Sequence, residues 1–210
     1  MEEHTGIVLA GGRSDRFEDG DKALARIDGE PLLGRVVERV GRATDRVVVS
    51  CRDEQRDTFE RVCDGASVPV QFVVDPVPDG GPLAGLSAAL DVVETPFVAV
   101  VACDMPGVDP AFLDALFEYA AGCDGAVPTL RDGHLQPLQA VYRATVLQDA
   151  IEACQSYRNP GPRTVIERLD VRVLSPDEVA AVTDWRSLRN VNTVAELEQF
   201  RGGREWSEYP

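Results

Sequence analysis

The chain has 210 residues, 44% of them hydrophobic and 27% charged, the balance of a globular protein long enough to bury a real core. Its net charge of −15 and sequence pI of about 4.5 argue against general binding to nucleic acid or to anionic membranes. No apolar run approaches the length of a membrane span.

The first strong pattern is Gly6 to Ala10, a short apolar run closed by Gly11-Gly12, which predicts a buried strand. Pro31 to Arg42 has apolar residues at helical spacing with a proline in its first turn. Arg46 to Cys51 predicts a β-branched strand, Asp53 to Cys63 an amphipathic helix, and Val70 to Val74 a third strand ended by Asp75-Pro76. The turn Asp79-Gly80-Gly81-Pro82 leads into a helix over Leu83 to Val93. Phe97 to Ala102 predicts the most apolar strand, and Pro110 to Ala121 the next helix.

Strands apolar on both faces, alternating with helices, predict an α/β fold: a doubly wound, mostly parallel sheet of the Rossmann-like type. After Ala121 the rhythm changes. Strands are expected at Gly125 to Thr129, Leu138 to Tyr142 and Val171 to Leu174. Helices are expected at Ala144 to Cys154, Thr164 to Leu169 and Val194 to Phe200. We expect one domain over residues 1–200, with this second half a small β/α elaboration, and a polar tail over 201–210. The short acidic start, Met1 to His4, does not read as a signal peptide, and the cytoplasm is the expected location. The five cysteines are odd in number, scattered and without a CxxC pair, so they are expected as reduced, buried thiols.

In such a sheet, ligands bind beyond the C-terminal ends of the strands. Leu9 to Leu24 is one such loop. Gly11-Gly12 allows close backbone approach to anionic oxygens, and Arg13, Arg16 and Lys22 add three cations to an acidic chain. Neither the Walker spacing nor GxGxxG is present. Of 21 lysines and arginines, Lys22 alone is lysine. A composition this acidic and lysine-poor suggests a salt-adapted host, and one that still keeps a lysine here suggests a need for a compact ammonium. Asp104, directly after the core strand, is either a Mg²⁺ ligand beside the phosphates or a turn or cap residue before the next helix. Asp19-Gly20-Asp21 matches DxD but reads as part of the phosphate-loop turn. Gly80 to Leu86 presents a glycine-bracketed helix start, suited either to a ligand or to close packing. Asn192 or Thr193 caps the last helix, or either asparagine, Asn190 or Asn192, supplies an amide oxygen to the metal or a contact to substrate.

Taken in order, these stretches resemble the molybdenum cofactor guanylyltransferase family, within the wider MobA-like NTP transferases. The family's LAGGxSxRMGxDK is matched by LAGGRSDRFEDGDK from Leu9 to Lys22, and its GPLAGL by Gly81 to Leu86. A CDxP-type turn falls at Cys103 to Pro106, a loose HP-like segment at Gln136 to Ala140, and NVNTPEEL at Asn190 to Leu197. The set spans nearly the whole chain. Phe17-Glu18 replaces Met-Gly, the HP element lacks its histidine, and Val194 stands in place of proline.

The resemblance implies the nucleotide-diphospho-sugar transferase type of fold and transfer of GMP from GTP to the phosphate of a pterin acceptor. It implies nucleotide contacts from Leu9, Ala10, Gly11, Gly12, Arg13, Lys22, Asp75, Gly81, Pro82, Leu83, Asp104, Asn190 and Asn192. Arg16, Lys22 and Asp104 are the implied catalytic residues, and Asp104 and Asn192 the implied Mg²⁺ ligands. Molybdoenzyme-maturation proteins are the implied partners. Related activities share this loop pattern: cytidylyl transfer to molybdopterin, or guanylyl transfer to phospholactate or cobinamide phosphate. A catalytically silent nucleotide-binding protein is the reading from another class.

Overall fold

A computed structural model describes residues 3–12, 20–77, 80–154, 156–157 and 160–202. The elements in the first half are β1 (Thr5–Leu9), β2 (Arg26–Ile27), β3 (Glu30–Pro31), α1 (Leu32–Gly41), β4 (Arg46–Cys51), α2 (Arg56–Val62), β5 (Val70–Val74) and α3 (Gly81–Leu90). Then come β6 (Phe97–Ala102), α4 (Pro110–Tyr119), β7 (Gly125–Pro128), β8 (Gln139–Arg143), α5 (Ala144–Cys154) and α6 (Pro162–Ile166). The chain continues with β9 (Val171–Leu174), α7 (Pro176–Val182) and α8 (Val194–Arg201). Single 3-10 turns cover Lys22–Leu24, Asp53–Gln55 and Trp185–Leu188.

The described strands form one seven-stranded sheet in the order β5-β4-β1-β6-β8-β7-β9. Its left part, β5 to β6, is wholly parallel, as the unbroken apolar runs predict. Within this sheet β8 alone runs against its neighbours, so it is mostly parallel with one reversed strand. That reversal has a consequence for the site: β8 begins at the edge where β1, β4 and β6 end. The short hairpin β2–β3 stands apart and turns through Asp28 and Gly29, both at positive φ.

Strand alternation divides the core in two. Val8, Val47, Val49, Ala99 and Val101 face α1, α2, α4 and α7. Ile7, Val48, Val98, Val100 and Tyr142 face α3, α5 and α6. A third cluster joins α8 to the hairpin through Ile27, Leu32, Val191, Leu197 and Phe200. The sheet is therefore doubly wound, as expected.

Several boundaries differ from the sequence reading. The segment expected as a helix from Asp53 divides into a 3-10 turn and α2, and α3 starts at Gly81 and stops at Leu90. The hairpin, α7 and the 185–188 turn were not anticipated. Four cysteines are buried, but Cys123 is only half-buried. Burial lifts the Cys51 thiol to about 11 and the Cys63 thiol to about 12, which keeps both neutral at pH 7. No described helix is long and apolar enough to cross a membrane.

Helix α1 lies close on β1 because Gly6 has no side chain. A Cβ there would stand 2.2 Å from Val40 Cγ1. Gly6→Ala is thus expected to destabilise the fold by about 1–3 kcal/mol through overpacking. Val40→Ala in the same chain removes the clash, so the double variant should be less destabilised than the sum of the two singles. Urea unfolding measures all three; a Gly6→Ala protein as stable as wild type would contradict this packing.

Candidate active site

Four strand ends and one strand start meet at one edge of the sheet. Cys103 N donates to Leu9 O at 3.0 Å and Ala102 N to Leu138 O at 2.9 Å, which sets Asp104 beside the glycine loop. Arg35 and Arg39 of α1 donate to the carbonyls of Pro106 and Val108, fixing the turn that follows. A cleft of about 530 Å³ opens there, within the usual range of small-molecule sites.

At one side of the cleft stands a polar knot. Lys22 Nζ donates to Asp104 Oδ2 at 2.7 Å and to Asn192 Oδ1 at 2.9 Å. Asn190 Nδ2 donates to Asp104 Oδ1 at 2.8 Å, and Val191 N to the Asp104 carbonyl at 2.8 Å. The Lys22 and Asp104 side chains are only 20% and 17% exposed, so water screens the pair less than it would a surface pair. Each partner is set by local sequence. Asp21 caps the 3-10 turn that begins with Lys22, accepting from Ala23 N. Thr193 and Glu196 form a capping box on α8, and Glu196 also accepts from the Asn192 amide. Buried Val191 anchors the segment in the third core cluster. The cap of α4 is Asp109, not Asp104, which leaves the Asp104 carboxylate to the knot.

The opposite side of the cleft holds Asp75. Its carboxyl sits where Gly11 and Gly85 carry no side chain: an added Cβ would lie 2.3 Å from Asp75 Oδ2 at Gly11 and 2.8 Å from Oδ1 at Gly85. Burial raises the Asp75 carboxyl above the usual carboxylate range, and a hydrogen bond from Ser50 Oγ and the charge of Arg52 partly oppose this.

Leu9, Ala10, Gly11, Gly12, Lys22, Asp75, Gly81, Pro82 and Asp104 all line the cleft, and Asn190 and Asn192 join it through Asp104 and Lys22. Leu83 does not: its side chain packs with Leu86 and Ala89 in the core. Arg13, Arg16, Asp19 and Asp79 lie outside the described residues, as do 203–210 of the expected tail. Sequence reasoning did not single out Asp21, Ser50, Arg52, Asp53 or Glu54 as lining residues. Nor did it single out Gln136 as the donor to Asn190 Oδ1, at 3.3 Å. A pointer was available for those at 50–54, since they lie at or just beyond a strand end at the ligand edge. The described lining carries five carboxylates (Asp21, Asp53, Glu54, Asp75, Asp104) against Lys22 and Arg52, so a triphosphate entering without a cation meets a net negative wall.

Comparison with known proteins identifies the family. The family model for the MobA-like NTP transferase domain matches residues 6–173. A protein of Natronomonas pharaonis described as a probable molybdenum cofactor guanylyltransferase is 39% identical over 201 residues, covering 96% of this chain and 98% of that one. One of Haloferax mediterranei with the same description is 34% identical, covering 95% and 93%. The crystal structure of molybdopterin-guanine dinucleotide biosynthesis protein A from Archaeoglobus fulgidus superposes with a TM-score of 0.76 at 26% identity, covering 94% of this chain and 97% of that one. The chain belongs to the MobA-like NTP transferases, among the molybdenum cofactor guanylyltransferases.

Proposed function

We propose that the chain transfers GMP from GTP to the phosphate of molybdopterin and releases pyrophosphate. The observation that carries this reading is the convergence of Lys22, Asp104 and Asn192 beside a nucleotide-sized cleft at the strand ends. The shared description of the relatives supports the identity of donor and acceptor. The cytoplasm is the proposed location, and molybdoenzyme-maturation proteins are the proposed recipients of the product.

The donor set fits Mg²⁺. A carboxylate oxygen of Asp104 and the amide oxygen of Asn192 both face one positive centre, the Lys22 ammonium, and both are hard ligands. Among the described residues no three His, Cys, Asp or Glu side chains cluster as a metal site, so substrate phosphates would complete the coordination. Asp104 and Asn192 would hold the ion, and it would neutralise charge on the phosphate oxygens.

The residues of the chain then have separable tasks. Gly11, Gly12 and the α3 start at Gly81-Pro82 bring backbone close to the nucleotide. Asp75 contacts the nucleotide from the opposite side. The acceptor phosphate is already an anion and needs no base. Its oxygen bonds to the α-phosphorus while the bond to the bridging oxygen of pyrophosphate breaks, in line. Lys22 supplies a compact ammonium to the charge that develops on the departing pyrophosphate, and Arg16 is assigned the same task.

Lys22→Ala is expected to lower kcat by roughly 10²–10³-fold, and Lys22→Arg should not restore it, because a planar guanidinium does not replace a compact ammonium. Asp104→Asn should abolish Mg²⁺-dependent pyrophosphate release. Pyrophosphate release with GTP, Mg²⁺ and molybdopterin measures these variants; full activity in Asp104→Asn would overturn the metal assignment.

Asp75 gives a stability prediction of definite sign. Its carboxyl is raised in the folded state, so its contribution to stability is present below the unfolded pKa and lost as pH rises through the folded value. At neutral pH the ionised group therefore costs stability. Asp75→Asn should raise Tm at pH 7, on the order of a degree or two, and flatten its dependence on pH across the acid range, while weakening nucleotide binding. Calorimetric scans from pH 4 to 8 decide; a lower Tm at pH 7 would contradict the burial argument.

A further inference from the structure

Arg52 and Gln55 sit on the corner between β4 and α2, some forty positions from the glycine loop in sequence, yet both reach it. Arg52 Nη1 donates to the Gly11 carbonyl at 2.8 Å and to the Gly12 carbonyl at 2.9 Å. Its Nη2 lies 3.6 Å from Asp21 Oδ2. Gln55, 4% exposed, donates through Nε2 to Asp21 Oδ2 and, at 3.5 Å, to the Ala10 carbonyl. Its Oε1 accepts from the Arg52 amide at 2.8 Å, which holds the two clamp residues to one another.

We propose that Arg52 and Gln55 are positioning residues that clamp both ends of the nucleotide loop, Ala10 to Gly12 at its start and Asp21 at its end. The inference rests on the nucleotidyltransferase reading above and deepens it. Peptide units are planar, and no cis bond occurs among the described residues. Holding the Ala10 and Gly11 carbonyls therefore fixes the directions of the Gly11 and Gly12 N–H groups, the donors available to phosphate. Holding the Asp21 carboxylate fixes the capped turn that begins with Lys22. One corner of the fold thus sets the backbone donors and the lysine in register with each other. The planar fork of arginine suits this task, since it serves two adjacent carbonyls and a carboxylate at once; a lysine ammonium has the charge without the fork.

The test is hydrogen–deuterium exchange of the segment 9–24, with kcat/KM for GTP·Mg²⁺, on wild type, Arg52→Met, Arg52→Lys and Gln55→Leu. Faster exchange in 9–24 is expected in all three variants, with exchange across 97–102 unchanged as the sign of an intact fold. kcat/KM should fall roughly tenfold to a hundredfold, the scale of a misplaced catalytic group, and Arg52→Lys should not rescue it. Wild-type kcat/KM in Arg52→Lys would show that the charge of Arg52 acts rather than its fork, and would overturn the clamp. Wild-type exchange of 9–24 in Arg52→Met and Gln55→Leu would also overturn it. If wild type itself does not turn over GTP, the functional reading fails, and the exchange measurement still decides the clamp.

Discussion

The site depends on one ionic contact, Lys22 to Asp104, because it closes three distant parts of the chain on one point. It spans 82 residues, and the hydrogen bond from Lys22 to Asn192 spans 170. A pair still partly open to water adds little net stability on its own. Its value is positional. The first loop and the end of the central strand each bring one polar group, the segment before the last helix brings two, and none of the three makes a site alone. Removing one partner would strand a largely buried charge, which costs far more than the pair contributes. This gives the C-terminal segment a reason to be where it is: α8 packs on the β2–β3 hairpin, and the segment before it delivers Asn190 to the carboxylate and Asn192 to the lysine.

The sheet supplies the frame for that convergence. Parallel β1, β4, β5 and β6 all end at one edge, and the reversed β8 starts there, so Leu138 closes the cleft from the far side. The described lining of the cleft is acidic within an acidic protein. A cation beside a polyanionic substrate would offset the charge of this described lining, and the knot offers oxygen ligands for one. The proposed dependence on a divalent ion rests on the charge balance of the described lining as much as on any single ligand.

Much of this was legible in the sequence where physical signals are local. The β-branched and apolar runs at Arg46 to Cys51, Val70 to Val74 and Phe97 to Ala102 fixed those strands to the residue. The strand-end rule put Asp75 and Asp104 at the right edge. Short elements were harder. Ser175-Pro176-Asp177-Glu178 is a capping box with proline at the first turn, yet α7 has only 7 residues, too few to show periodicity. The Asp28-Gly29 turn joins strands of two residues each, below any pattern of alternation. The bonding roles of Arg52 and Gln55 were not legible, since nothing near them in sequence reveals that they bond to backbone carbonyls of another loop. Leu83 differs from its motif neighbours: its side chain serves the core rather than the cleft.

The most direct test of the account is calorimetric titration of GTP, CTP and ATP into the folded wild-type protein, with and without Mg²⁺. The account predicts that GTP binds in preference to CTP and ATP, and only when Mg²⁺ is present. Equal binding of the three nucleotides, or binding of GTP that is indifferent to Mg²⁺, would contradict it.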